Sequence, residues 1–227
     1  MAPSDVKVLG APPSPFVNRV QIALNLKHVD YEFLEETFGY KSELLLKSNP
    51  IHKKVPVLIH GGKPVCESLV IVQYIDEVWI DGPGILPSDP YDRATARFWA
   101  AYVDDKWWPT LRGLTNAEGE EAKAAALEQV MEGIILLEDA FAKCGKGKDF
   151  FGGDTIGYLD IALGGFLGWL RAAEKMTDLK ILDATKTPGL FGWAHRFGSN
   201  AALKDVIPKT EKIVELAKML TARAKAQ

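Results

Sequence analysis

Residues 81–90 divide this chain into two stretches with different patterns of apolar residues, which limits the folds open to it. The segment reads Asp-Gly-Pro-Gly-Ile-Leu-Pro-Ser-Asp-Pro, and its three prolines and two glycines are typical of a linker. Strand and helix patterns alternate before the segment, and only helical spacing follows it. The sequence therefore predicts an α/β domain over residues 1–80, a linker over residues 81–90 and an all-helical domain over residues 91–227.

The first stretch has the order β-α-β, a connecting segment, and then β-β-α. Strands are predicted at residues 6–9 and 31–36, and a hairpin at residues 57–66 with Gly61-Gly62 at its turn. Helical spacing begins at Phe16 and again at Ser68.

The second stretch predicts helices over residues 91–112, 118–143, 156–176 and 209–224, with the third one central and buried. Pro109 should kink or end the first of these helices. Adjacent Trp107 and Trp108 cannot share one helix face, so we expect one indole in the core and the other, preferably Trp108, in a pocket.

Charge and cysteine content exclude several classes of protein. The net charge of -3 gives no reason to expect a nucleic-acid partner, and two cysteines form no disulfide framework. The first five residues lack the features of a secretory signal, and the most apolar run, residues 161–170, is too short to span a membrane. We expect a soluble, cytoplasmic protein that contacts no membrane.

Ser14 is the first candidate for chemistry, and two interpretations of it are open. It precedes Pro15 and an amphipathic helix, so it can be an ordinary N-cap residue. Alternatively, its hydroxyl donates a hydrogen bond to a thiolate held at the positive end of that helix.

Two further segments carry polar groups with similar alternatives. Val55, before Pro56 and a strand, can offer its backbone to an extended peptide, or Pro56 can be an ordinary trans edge proline. Glu67-Ser68 can be a helix cap or can hold an ammonium and a carboxylate. Nearby lysines can meet ligand carboxylates or simply be solvated, as lysines usually are: Lys41, Lys53 and Lys54. Together these groups describe a site for a small peptide with two carboxylates and an amine.

Several motifs taken in order resemble the plant tau class of glutathione transferases. They are Ser14-Pro-Phe16 with Arg19, residues 47–59, residues 64–68, residues 73–77, residues 96–99, residues 151–154 and residues 158–165. The resemblance covers nearly the whole chain. It implies a thioredoxin-like domain followed by an all-α domain, a homodimer, glutathione as co-substrate, and no metal.

The resemblance also implies roles for individual residues. Ser14 would be the catalytic serine, and glutathione would be held by Lys41, Lys54, Val55, Pro56, Glu67 and Ser68, with Pro56 in the cis form. Lys41 and Lys54 would meet the glycine carboxylate, Val55 the cysteinyl backbone, and Glu67 and Ser68 the γ-glutamyl end. Asp160 matches the acidic member of a capping box, although Gly157 stands where the box has Ser or Thr.

The pocket for the second, apolar substrate would be lined by Phe16, Trp108, Arg112, Trp169 and Leu216. The implied reaction is conjugation of glutathione to small apolar electrophiles, with detoxification, peroxide reduction and stress response as family expectations. The physiological electrophile is not named by the sequence.

Two other functions stay open. A glutathione-dependent thiol-disulfide oxidoreductase needs a cysteine at the helix start, where this chain has Ser14, while Cys66 lies in the hairpin. A non-enzymatic carrier of apolar metabolites would use the aromatic residues of the helical domain.

Overall fold

The computed structural model describes residues 5–37 and 39–225, and it divides into two units. The first unit runs to Leu86 and also contains Asn200–Ile207, while the second contains Pro87–Ser199 and the chain from Pro208. The boundary falls within the segment rich in proline and glycine. Residues 1–4, on which most of the expectation about a secretory signal rests, lie outside the described residues.

A four-stranded sheet forms the centre of the first unit. Its elements follow one another in this order: β1 (Val6–Gly10), α1 (Pro15–Leu26), β2 (Glu32–Glu35), α2 (Glu43–Ser48), β3 (Val57–His60), β4 (Lys63–Cys66) and α3 (Ser68–Val78). The sheet has the order β2-β1-β3-β4, with β1 parallel to β2 and antiparallel to β3. The α/β architecture predicted for this stretch is confirmed.

Local sequence explains two features of this unit. Gly61 and Gly62 have φ of 56° and 74°, the left-handed conformations that a tight turn between β3 and β4 requires. Helix α2 lies in the stretch predicted only as a connection, and it begins where the Ser42 hydroxyl accepts a hydrogen bond of 3.0 Å from the Leu45 N–H.

The half-buried carboxylate of Asp76 ties helix α3 to the chain that follows it. Asp76 accepts hydrogen bonds from the backbone N–H groups of Ile85 and Leu86, at 2.9 and 2.8 Å. Its Oδ1 also lies 2.7 Å from the Nζ of Lys27, whose side chain is buried. The segment after α3 is therefore held to its own unit as far as Leu86.

The second unit is helical, as predicted. Its elements are α4 (Pro90–Tyr102), a π-helical turn (Val103–Trp107), α5 (Trp108–Asn116), α6 (Glu120–Gly145), α7 (Tyr158–Gly164), α8 (Leu167–Thr177), α9 (Pro188–Gly198) and α10 (Thr210–Lys225). No helix in the described ranges is long and apolar enough to cross a membrane.

The disruption predicted at Pro109 takes the form of a widened turn instead of a helix end. Proline has no N–H and its ring collides with the carbonyl four residues earlier. The chain accommodates this with a π-helical turn in which the Trp108 N–H bonds to the Val103 carbonyl, five residues back. Helix α5 then continues directly from α4.

The prediction of one helix over residues 156–176 is wrong, because the chain breaks between α7 and α8. Gly164 lies against Phe197, where a Cβ would come within 2.1 Å of the phenyl ring. The glycines that allow this close packing also weaken the helix, and it restarts after Phe166.

Asp160, in α7, is fully buried and accepts four hydrogen bonds. The donors are the backbone N–H groups of Phe151, Gly152 and Gly157 and the indole Nε1–H of Trp193, at 2.8–2.9 Å. The expected bond from Asp160 back to the N-cap backbone is confirmed, and the contacts to a loop and to α9 are additional.

Candidate active site

The register of the sheet brings the predicted glutathione-binding residues to one end of the first unit. Leu9, near the end of β1, pairs with Val57 at the start of β3, and Val57 pairs with Cys66 at the end of β4. Parallel β2 ends beside β1, where Gly10 pairs with Glu35. The segments that leave the sheet at this end therefore carry Ser14, Lys41, Lys54, Val55, Pro56, Glu67 and Ser68.

Ser14 is the N-cap residue of α1, but its side chain makes no capping hydrogen bond. Its backbone carbonyl instead accepts from the N–H groups of Val17 and Asn18, both at 3.1 Å, and Pro15 needs no acceptor. Capping by the backbone therefore leaves the half-buried hydroxyl available for another partner at the positive end of the helix.

The loop before β3 is braced by a buried asparagine. Asn49, only 3% exposed, donates from Nδ2 to the Lys54 carbonyl at 3.0 Å and accepts at Oδ1 from the His52 N–H at 3.1 Å. The Val55–Pro56 peptide bond that follows is cis, as the resemblance implies. Asn49 holds the backbone next to Val55, although its type and position alone suggested no such role.

Three lysines surround a small cavity beside this loop. The cavity has a volume of about 190 Å³, and its lining includes Tyr40, Lys41, Lys53, Lys54 and Val55. All three lysines are exposed, and among the described residues none of them forms an ion pair. This end of the loop is therefore a cationic region open to an anionic ligand.

Glu67 and Ser68 stand at the start of α3 in different environments. Glu67 has a φ of 70°, a strained conformation for a residue with a side chain, and its exposed carboxylate lies 3.8 Å from His52 Nε2. Ser68 is buried, and its Oγ accepts a hydrogen bond of 3.2 Å from Nη1 of Arg19.

Arg19 is a fully buried cation behind this site. Its guanidinium lies 5.3 Å from the centre of the Phe16 ring, a cation–π distance. Because a guanidinium can only donate, the Ser68 oxygen must accept from it, and the Ser68 hydroxyl proton is left to point elsewhere. Arg19 belongs to one of the motifs that resemble the family, but the sequence predicts no role for it, because arginine is seldom fully buried.

Cys66 directly precedes Glu67, and its thiol is a poor nucleophile. Burial, and next the charge of Glu67, raise the pKa of Cys66, and its Sγ lies 3.6 Å from the Ser48 carbonyl. A thiol held neutral does not favour disulfide exchange at this site. Across the described part of the chain, no group of three or more His, Cys, Asp or Glu side chains is arranged to hold a metal ion.

Two of the residues predicted for the apolar substrate meet in the second unit. The rings of Trp108 and Trp169 are 5.9 Å apart and edge-to-face, and Trp108 also stacks on Phe166 at 4.5 Å. Trp107 is 1% exposed, while Trp108 and Trp169 are half-buried. Of the remaining three, Arg112 is exposed on α5, Leu216 is buried on α10, and Phe16 belongs to the first unit.

Comparisons with known proteins agree with this architecture. Residues 4–77 match the family described as "Glutathione S-transferase, N-terminal domain" and residues 120–196 match "Glutathione S-transferase, C-terminal domain". Glutathione S-transferase U17 of Arabidopsis thaliana is 61% identical over 227 residues, the full length of both chains. The probable glutathione S-transferase GSTU6 of rice, Oryza sativa subsp. japonica, is 50% identical and covers 95% of this chain and 94% of its own.

Solved structures give the same result. The tau class glutathione S-transferase of mango, Mangifera indica, has a TM-score of 0.92 and 64% identity, covering 95% of this chain and 98% of its own. Rice GST1, solved in complex with glutathione, has a TM-score of 0.88 and 36% identity, covering 98% and 99%.

A thioredoxin-like unit with its polar residues at one end of the sheet, followed by an all-helical unit, is the architecture of a cytosolic-type glutathione transferase. The chain belongs to the tau class of the glutathione S-transferase family, as the motifs predicted.

Proposed function

We propose that the end of the sheet described above binds glutathione in an extended form, and that the Ser14 hydroxyl donates a hydrogen bond to its thiolate. The single observation that carries this proposal is that Ser14 begins α1 without using its hydroxyl as a cap. That hydroxyl belongs to the same end of the sheet as Val55 and Ser68.

The charges around the site suit the ends of the tripeptide. Lys41 and Lys54 supply cations for the glycine carboxylate, and Val55 offers backbone groups to the cysteinyl residue. Glu67 faces the γ-glutamyl ammonium, and the Ser68 proton that Arg19 leaves unused donates to the γ-glutamyl carboxylate. Rice GST1, 36% identical, was solved with glutathione, which supports the same ligand in this chain.

The required stabilisation of the thiolate is within reach of one serine. A cysteine-type thiol has a pKa of about 8.5, and lowering it by about two units needs about 2.7 kcal/mol. A hydrogen bond to a charged acceptor supplies roughly 1.5–3 kcal/mol. Ser14 at the start of α1 is therefore sufficient, and it does not have to accept a proton.

The thiolate then reacts with a small apolar electrophile. In a substitution, a carbon–sulfur bond forms while the leaving group departs with its bonding electrons. In an addition to an activated double bond, the resulting carbanion takes a proton from water. Holding both reactants in place supplies further acceleration.

Replacing Ser14 with alanine tests this role. With 1-chloro-2,4-dinitrobenzene, we expect kcat to fall roughly 30–100-fold at pH 6.5, the effect of a thiolate pKa that rises by about two units. KM for glutathione should change less than about threefold, because the other contacts remain. Ultraviolet absorbance of the bound thiolate, followed against pH, reports that pKa directly.

Two controls make the result specific. Ser14→Thr keeps a hydroxyl and should retain most of the activity, while Ser88→Ala removes an exposed serine of the second unit and should change nothing. If Ser14→Ala conjugates the aryl halide as fast as the wild type, the assigned role is wrong.

We also propose that two chains form a homodimer. Tyr91 and Phe98, seven residues apart on one face of α4, are 78% and 65% exposed, which is unusual for large apolar side chains. Sedimentation at micromolar concentration should give the mass of two 25.0 kDa chains, and Phe98→Glu should give one. A wild type that sediments as one chain contradicts this proposal.

A cytoplasmic location is a further part of the proposal. Cys66 and Cys144 are both free and half-buried, and such thiols persist in a reducing compartment. A fluorescent fusion found outside the cytoplasm would count against it.

A further inference from the structure

Trp107, the last residue of the π-helical turn, and Trp108, the first residue of α5, contact the same aromatic ring. Trp107 meets Phe166 edge-to-face with ring centres 6.3 Å apart, and Trp108 stacks on Phe166 at 4.5 Å and 29°. Neighbouring residues of a regular α-helix point about 100° apart, so they do not normally meet one partner. The π-helical turn at Val103–Trp107 lies immediately before Trp108 and alters this spacing.

Gly133 of α6 provides the space that Trp107 occupies. A Cβ on Gly133 would lie 2.8 Å from Cδ1 of Trp107 and 3.2 Å from the hydroxyl of Tyr102. Any side chain at this buried position must therefore displace the indole or the phenol. Glycine inside a 26-residue helix lowers helix stability, so its presence at this position has a packing reason.

Packing alone holds Trp107 in this position. Its Nε1–H is buried and has no hydrogen-bond partner among the described residues, which is unfavourable for an indole. The ring is therefore located by its packing against Gly133 and Phe166, and no hydrogen bond of the indole to a described residue contributes to its placement.

Trp108, the next residue, packs against the same Phe166 but is half-buried, so part of its ring is exposed. Its ring is stacked on Phe166 and edge-to-face with Trp169. The planes of the two indoles are 76° apart, so the rings form a corner. A flat aromatic ring can enter such a corner by stacking on one indole and meeting the other edge-to-face.

We propose that Gly133 and Phe166 are positioning residues that set the enzyme's preference for flat aromatic electrophiles. They act through Trp107 and Trp108: Gly133 leaves room for the Trp107 indole, and Phe166 supports both rings. This inference rests on the proposed function and on the prediction from the resemblance that Trp108 and Trp169 line the site of the second substrate.

The test compares two electrophiles in one enzyme preparation. One is 1-chloro-2,4-dinitrobenzene, which is flat and aromatic, and the other is propyl isothiocyanate, which is aliphatic and takes up the thiolate at its central carbon and a proton at nitrogen. The ratio of the two kcat/KM values does not depend on how much of the preparation is active, so partial unfolding does not change it.

The variants are Gly133→Ala and Phe166→Leu, with Gly113→Ala as the matched control. Gly113 lies in α5, and a Cβ there would meet nothing within 4 Å. We expect the aromatic-to-aliphatic ratio to fall roughly 3–10-fold in both variants, the size of one aromatic stacking contact, and to stay at the wild-type value in Gly113→Ala. KM for glutathione should not change in any of them.

Three outcomes overturn the inference. They are an aromatic-to-aliphatic ratio that is unchanged in Phe166→Leu, one that is unchanged in Gly133→Ala, or one that falls in Gly113→Ala as far as in the other two variants. Phe166→Leu keeps an apolar side chain of similar volume, so the test stands if Gly133→Ala fails to fold. A wild type that conjugates neither electrophile refutes the proposed function. A wild type that conjugates both, together with variants whose kcat/KM ratio equals that of the wild type, refutes this inference alone.

Discussion

Among the described residues, Arg19 in the first unit and Asp160 in the second are charged residues with no exposed surface at all, and the two have different partners. Arg19 in the first unit is a cation that donates to Ser68, a residue of the candidate glutathione site. Asp160 in the second unit is a carboxylate that accepts from the backbone at Phe151, Gly152 and Gly157 and from Trp193. In the proposed function Arg19 acts on ligand binding through Ser68, whereas the hydrogen bonds of Asp160 hold a loop and two helices together.

The chemistry of the two groups explains this division. A guanidinium stays protonated at any pH that a folded protein meets, so Arg19 can supply a permanent charge and a fixed pattern of donors. A carboxylate can become neutral instead. Burial raises the pKa of Asp160 to about 6, because the loss of solvent outweighs the four hydrogen bonds that favour the charged form.

The largest effect expected from this comparison is a pH dependence of the free energy of unfolding that is caused by protonation of Asp160. Its pKa is raised from 3.8 to about 6 on folding, so the folded chain holds this proton more tightly than the unfolded chain. The resulting stabilisation is complete below about pH 4 and is lost as the pH rises through about 6, with a magnitude of about 3 kcal/mol.

The measurement is the free energy of unfolding in urea between pH 4.5 and 7 for the wild type and Asp160→Asn. The difference between them should shrink as the pH rises, because the other carboxylates contribute equally to both proteins. Asp160→Asn should also be less stable throughout, since its amide nitrogen faces N–H donors. A difference that is independent of pH, or that grows with pH, would show that Asp160 stays ionised in the folded chain.

The candidate glutathione-binding end of the first unit is the part of the molecule that the sequence predicts best. Gly61-Gly62 marks a hairpin by its chemistry, and alternating apolar residues mark the strands. Once the strands are known, the register brings Ser14, Val55 and Ser68 to one end of the sheet. The motifs added the cis bond at Pro56, for which periodicity has no signal.

The groups behind that site were not predictable in the same way. Asn49 and Arg19 act through burial, and burial of a polar side chain depends on neighbours that are distant in the sequence. The same holds for two glycines of the second unit. Gly164 packs against Phe197 and Gly133 against Trp107, and these partners are distant in the sequence. Local propensity alone does not distinguish such glycines from a helix break.

The smaller expected effect concerns Arg19, and it sharpens the contrast with Asp160. Arg19→Met keeps an apolar stem but removes the charge and the bond to Ser68, so we expect KM for glutathione to rise about 10–100-fold, the value of a charge-assisted hydrogen bond. Arg19→Lys, which keeps the charge without the planar fork, should lie between the two. Arg196→Met, at a half-buried arginine of the second unit paired with Asp149, is the matched control and should leave KM unchanged.

Steady-state kinetics with glutathione as the varied substrate separates two explanations for Arg19. A rise in KM with kcat nearly preserved means that Arg19 acts through Ser68 on the γ-glutamyl end, since binding is lost without a change at the sulfur. A fall in kcat with KM preserved would instead place the effect of this charge on the thiolate, and the role proposed for Ser68 would be wrong. Asp160→Asn provides the opposite pattern for comparison: reduced stability with a KM for glutathione equal to that of the wild type.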